Sequence, residues 1–179
     1  MNRDKSQRHS GGQILIESIV AISIGLVGVL GFMLLLTRSA AVGKDIGAEA
    51  SAAYLAAEGI EMVKSIVDGN YTKDLAWNDG LGGGTYEMAY GDTAPVASSG
   101  RRLCFHGDTG LYDYDNGGGC SGADEATTTY RREIMITSLA RDGVTGDDEM
   151  KVISVVRWTA RGGEERSVSV ENHFFDWRP

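Results

Sequence analysis

The sequence predicts an α+β chain: one long N-terminal helix, membrane-spanning in its first half, packed on a C-terminal antiparallel β-sheet. Three observations carry this expectation. Residues 14–36 are apolar apart from Ser18, Ser23 and the carboxylate of Glu17. Residues 37–67 follow with no proline and with apolar side chains every three or four positions, the period of a helix face. In the last third, residues 130–137, 150–159 and 166–175 alternate apolar and polar, the period of a strand.

The apolar run comes first. At 1.5 Å per residue it reaches about 35 Å, enough to cross a hydrocarbon core of about 30 Å with some tilt. A soluble helix needs an apolar stripe rather than an apolar circumference. No small-residue cleavage site of the secretory kind follows the run. The leader, residues 1–12, is polar and basic, with Arg3, Lys5 and Arg8 against Asp4. By the positive-inside tendency it stays cytoplasmic and sends the rest of the chain outward. Within the span, Ser18, Ala21, Gly25 and Gly28 fall on one stripe of small residues, which lets helices approach closely in lipid.

Glu17 is the exception within the run. A carboxylate inside an apolar span is costly unless it finds a partner or reaches the headgroups. Its register is specific: Gly11-Gly12, then Gln13, then Glu17 four residues on. This pattern resembles the class III signal of type IV prepilins and of the pseudopilins of type II secretion. The resemblance implies that a prepilin peptidase cuts between Gly12 and Gln13 and can N-methylate the new terminus, and that Glu17 is the family's glutamate at mature position five. That glutamate then pairs with the amino terminus of Gln13 on a neighbouring subunit, a buried charge kept only because it is paired. The chain departs from the family at Gln13, where Phe is usual, so the resemblance bears on cleavage more than on methylation. In the assembled filaments of the family part of this region is extended, and Gly25, Gly28 and Gly31 would permit that here.

The helix is expected to continue to about residue 67, some 80 Å in all. Its buried stripe reads Val42, Ile46, Ala50, Ala53, Ala57, Ile60 and Val67, with Glu58 and Glu61 on a solvated face and Asp68-Gly69-Asn70 as the stop. The segment Tyr54-Leu55-Ala56-Ala57-Glu58-Gly59-Ile60-Glu61 is similar to the helix of minor pilins of the pilus-modification and I-type pseudopilin group, and the ending through Trp158 and Phe174-Phe175-Asp176-Trp177 is loosely similar to it. The resemblance places the parts as residues 1–12, cleaved leader; 13–36, transmembrane and polymerisation helix; 37–68, amphipathic continuation; and 69–179, a pilin-like globular head.

The head starts with a glycine-rich loop over which Trp77 folds back on the helix. A short strand follows with Tyr86, Met88 and Tyr90 on one side. Residues 103–105 and 111–114 pair across a turn at 107–110. In the β region one side carries Ile134 and Ile136, then Met150, Val152, Val156 and Trp158, then Val168, Val170 and Phe174. Arg161-Gly162-Gly163-Glu164 suits a hairpin turn and residues 142–148 an acidic connection. Cys104 and Cys120, the only cysteines, are expected to pair if the head lies outside, with two unlinked thiols as the alternative.

Composition excludes several functions. The chain has 179 residues and a formal charge of −8; residues 1–36 carry +1, leaving −9 beyond them, which disfavours tight electrostatic binding of nucleic acid or anionic lipid. His9, His106 and His173 stand apart, so no metal or cofactor is expected, and no serine or cysteine occupies a nucleophile motif, so no enzyme is. Asp108, Asp113, Asp115 and Asn116 offer oxygens for calcium but miss the EF-hand spacing. The basic pairs Arg101-Arg102 and Arg131-Arg132 read as solvated. The resemblance to prepilins then implies a structural function, as a subunit, minor rather than major, of a type IV pilus or related filament. It also implies the partners: prepilin peptidase, other pilin subunits, an inner-membrane assembly platform and, before assembly, membrane lipid. The alternatives are a pseudopilin of a secretion or DNA-uptake system and, in a different class, a permanently anchored binding ectodomain.

Overall fold

The computed structural model describes residues 11–115, 119, 120, 122, 124–139 and 149–176. The first ten residues of the leader, Asn116, the acidic connection at 142–148 and Trp177 lie outside the described residues. The layout is α+β. Helix α1 (Gly11–Thr72) comes first. The strands β1 (Gly84–Glu87), β2 (Val96–Ala97), β3 (Leu103–His106), β4 (Tyr112–Tyr114), β5 (Glu125–Thr127), β6 (Arg131–Leu139), β7 (Glu149–Thr159) and β8 (Glu165–Phe175) follow. The chain forms two compact units, Met1–Lys44 and Asp45–Pro179.

The described part of the first unit is helical throughout, and the helix runs on through Gly25, Gly28 and Gly31, where the family resemblance implies local extension. Three glycines in seven residues lower propensity by about 1 kcal/mol each, yet a helix in an apolar host keeps its backbone bonds internal because no water competes for them.

In the second unit α1 packs on antiparallel strands. One sheet has the order β2-β1-β6-β7-β8 and a smaller one the order β4-β3-β5. The long β6–β7 and β7–β8 ladders set opposite each other the apolar positions that alternation predicts: Ile136 faces Val152 and Val156 faces Val168. Ile60, Val63, Ile66, Val67 and Tyr71 of the helix meet Ile134, Ile136, Met150 and Val152 in one apolar cluster. Ala52, Leu55 and Ala56 meet Leu103, Tyr114, Val156 and Trp158 in the other.

This corrects the predicted helix stripe. Ala50, Ala53 and Ala57 are exposed, as are Val42 and Ile46; the buried stripe is Ala52, Leu55, Ala56, Ile60, Val63, Ile66 and Val67. Alanines surround this stretch of helix, so the large side chains Leu55 and Val63 set its phase. The predicted stop is also displaced. Gly69 lies inside the helix, and the left-handed residue is Asp74, at φ 55°. The Leu75 amide donates to Asn70 O at 3.0 Å, the wide bond of a Schellman-type end. Buried Asn70 is spent otherwise: its Nδ2 donates to the carbonyls of Trp77 and Asp79, drawing the loop back on the helix and burying Trp77.

The remaining strands match the alternation closely. β3 and β4 pair across the 107–110 turn, and the hairpin between β7 and β8 turns on Gly162 and Gly163, at φ 120° and 88°. The first strand is shorter than expected: β1 ends at Glu87, Met88 is buried and Tyr90 is exposed. Cys104 and Cys120 form a disulfide with a Cα–Cα distance of 5.6 Å.

Candidate functional site

The first unit presents an apolar surface with nothing packed on it. Every large apolar side chain from Ile14 to Leu36 is more than half exposed, and by length and composition the helix is able to cross a membrane. Its hydroxyls are satisfied locally: Ser18 donates to Ile14 O and Ser23 to Ile19 O, both at 2.8 Å, and Thr37 reaches Met33 O and Leu34 O. Glu17 has no hydrogen bond or ion pair among the described residues. Gln13 and Glu17 lie one turn apart on one side of the helix.

The Gly12–Gln13 bond lies within α1, next to the first described residue, and Gly11 and Gly12 each lower helix propensity there by about 1 kcal/mol relative to alanine. A Cβ on Gly12 would meet nothing within 4 Å. A side chain there therefore meets no steric obstacle among the described residues.

In the second unit the polar groups are organised around Arg132, which is fully buried. Its Nη1 donates to Glu58 Oε2 at 2.9 Å and to Leu55 O at 3.2 Å, and its Nη2 donates to Met88 O at 2.7 Å. The Tyr114 hydroxyl donates to Arg132 O at 3.1 Å, and the guanidinium lies over the Tyr114 ring. One side chain thus joins the helix, the segment just after β1, β4 and β6. Burial raises the Tyr114 hydroxyl pKa, and the nearby Arg132 only partly opposes this. Two expectations are corrected here. Arg132 is not solvated, and Glu58 is its counter-ion rather than part of a solvated face; Glu61 is exposed, near Lys64.

Arg101 is likewise engaged. Its Nε donates at 2.6 Å to Glu87 Oε2, and Glu87 is 1 % exposed. The amides of Ser99 and Arg101 donate to Glu87 Oε1 at 3.0 and 2.9 Å. Burial pushes the Glu87 carboxyl up, but the Arg101 guanidinium and these two amides outweigh it and hold it below the usual carboxylate range. The pair therefore stabilises the fold above the ordinary carboxylate pKa and stops doing so as pH falls through the depressed folded value. The contribution of this pair to denaturant midpoints should be level above about pH 5 and fall in more acid solution, so Glu87→Gln should flatten the acid limb relative to the wild type; an unchanged limb would disprove the assignment.

The remaining candidates are placed separately. Asp108, Asp113 and Asp115 each accept a nearby backbone amide, from Thr109, Tyr114 and Gly119. Among the described residues no group of three or more His, Cys, Asp and Glu is placed to hold a metal. His173 lies between Glu149 and Glu171 on the β7–β8 surface, and hydrogen bonds to Glu149 first and Glu171 second raise its pKa. Sequence reasoning missed the Arg132 and Glu87 networks and one close approach, Gly59 of the helix against Ser154 of β7. Comparison with protein-family models, with curated proteins and with solved structures finds no match.

Proposed function

We propose that the chain is a pilin-like structural subunit, a minor component of a type IV pilus or related filament, and not an enzyme. A prepilin peptidase removes the leader between Gly12 and Gln13. The subunit waits in the membrane on residues 13–36 with its head outside, then assembles by bundling of that helix with those of other subunits. The observation that carries this reading is the bare apolar helix with one unpaired carboxylate, Glu17, a turn from the new terminus at Gln13. An apolar rod satisfies a membrane by itself, but an intramembrane carboxylate costs about 2–3 kcal/mol at mid-bilayer and is usually retained for a partner. The amino terminus of a neighbouring subunit is such a partner. The Cys104–Cys120 bond supports a head in an oxidising compartment.

The test follows from the two residues. Co-expressed with a prepilin peptidase, the wild-type chain should be recovered beginning at Gln13, and Gly12→Val should keep its leader. Glu17→Ala should reach the membrane and lose its leader normally but be depleted from sheared filaments, because breaking one partner of a buried pair costs roughly 3–5 kcal/mol. An intact wild-type leader would favour the permanently anchored ectodomain. Equal incorporation of Glu17→Ala and wild type would remove Glu17 from the assembly mechanism.

A further inference from the structure

The surface of the five-stranded sheet opposite the helix gathers arginines at one end, although the chain is acidic. Arg102, Arg131 and Arg157 line a cleft of about 130 Å³ with Trp158, Thr159 and Glu165. They come from three segments brought together by backbone bonds. The Leu103 amide donates to Tyr130 O at 2.9 Å, which sets Arg102 beside Arg131. In the β6–β7 ladder Arg131 stands directly opposite Arg157. Like charges in that position repel, and a fold has no stabilising use for the arrangement.

The available counter-charge is incomplete. Arg157 pairs with Glu133. The side chains of Arg102 and Arg131 are exposed and have no ion pair or hydrogen bond among the described residues, and neither does that of Glu165, whose single carboxylate at the cleft leaves the arginines in excess. Two guanidinium groups are therefore free to bind, next to a third that is already held in place. Trp158, 4 % exposed, fixes the β7 strand that carries Arg157.

We propose that this cleft binds a phosphate-type oxyanion. Guanidinium forks bind phosphate and carboxylate oxygens in bidentate fashion, and arginine is less strongly hydrated than lysine, so it gives up water readily on binding. A planar carboxylate offers one edge, which a single fork satisfies. A tetrahedral oxyanion has oxygens on every side and is suited to forks arriving from three segments. Thr159 adds a hydroxyl donor at the wall. The phosphoryl group is either free in solution or the phosphodiester of a lipid headgroup.

Arg102 and Arg131 are well suited to a test because neither has a partner in the folded chain. Full-length protein in zwitterionic detergent should gain thermal midpoint as sodium phosphate replaces sodium chloride at constant ionic strength. In Arg102→Gln/Arg131→Gln the midpoint without phosphate should equal or exceed the wild type, since the Arg131–Arg157 repulsion is relieved, and phosphate affinity should fall at least about tenfold. A gain with phosphate that the double variant loses supports the site with a free anion as its ligand. A gain seen only when phosphatidylglycerol bilayers replace phosphatidylcholine ones, and lost in the same variant, supports the site with a lipid source. No gain in either medium, or a gain that persists in the double variant, overturns the proposal.

Discussion

Arg132→Met should lower the thermal midpoint of the full chain by about 10 °C while leaving membrane insertion intact. The substitution keeps the apolar stem and removes the guanidinium. Leu55 O and Met88 O then lose a charged donor in a buried site, and Glu58 loses its counter-ion. Removing one partner of a buried pair costs roughly 3–5 kcal/mol, and a domain of this size loses about 2–4 °C per kcal/mol. Glu58→Gln should be milder, because Glu58 is a quarter exposed and can be hydrated in part. A double change, Arg132→Met with Glu58→Leu, should recover stability, as buried pairs replaced together by apolar groups often do. Thermal unfolding followed by circular dichroism decides. A midpoint within 2 °C of the wild type for Arg132→Met would show that the network has no stabilising role.

The second large effect is expected at Gly59. Helix propensity alone favours Gly59→Ala by about 1 kcal/mol. The fold opposes it: a Cβ there would lie 2.4 Å from Ser154 Oγ, 3.1 Å from Ser154 Cβ and 3.2 Å from Arg132 Cδ. Ser154 is on the interior strand β7, paired on both sides, and Arg132 is held by four groups, so neither backbone moves away easily. Overpacking of this kind costs roughly 1–3 kcal/mol, and Gly59→Val should exceed that range. The Ser154 hydroxyl is buried without a partner, so Ser154→Ala alone should be neutral or stabilising. Combined with Gly59→Ala it should restore much of the loss, because the tightest contact is gone. The two sites are in contact and their effects should not add. Higher stability for Gly59→Ala alone would mean that helix and sheet are not locked together at this point.

Comparison of sequence and structure depends on the element. The strand assignments held because alternation with large β-branched residues, as in Val152, Val156, Val168 and Val170, leaves one phase. The helix phase is hard to read at residues 50–57, where five alanines fit either side and Leu55 alone marks the buried one. Arg132 was partly legible: it shares the inward parity of Ile134 and Ile136, as Ser154 shares that of Val152 and Val156. Polar character argued for the surface and prevailed over period, although a polar residue on an inward position signals a buried partner elsewhere. That partner, Glu58, is 74 positions away, a separation that local pattern does not reach. Glu87 was hidden for a related reason, since its ligands come from the turn at 98–101 rather than from its own strand.

The hydroxyls of Ser18, Ser23 and Thr37 turn back on their own helix, and this has a consequence for reversibility. A helix that exposed free donors would bind differently to acyl chains, which accept nothing, and to protein neighbours, which do. With these hydroxyls closed internally, transfer between the two hosts neither breaks nor makes a hydrogen bond along most of residues 14–36. Dispersion contacts and local concentration then decide where the helix resides. Glu17 alone distinguishes the hosts. In the filament proposed above, subunits carried on such helices would return to the bilayer with their backbones intact.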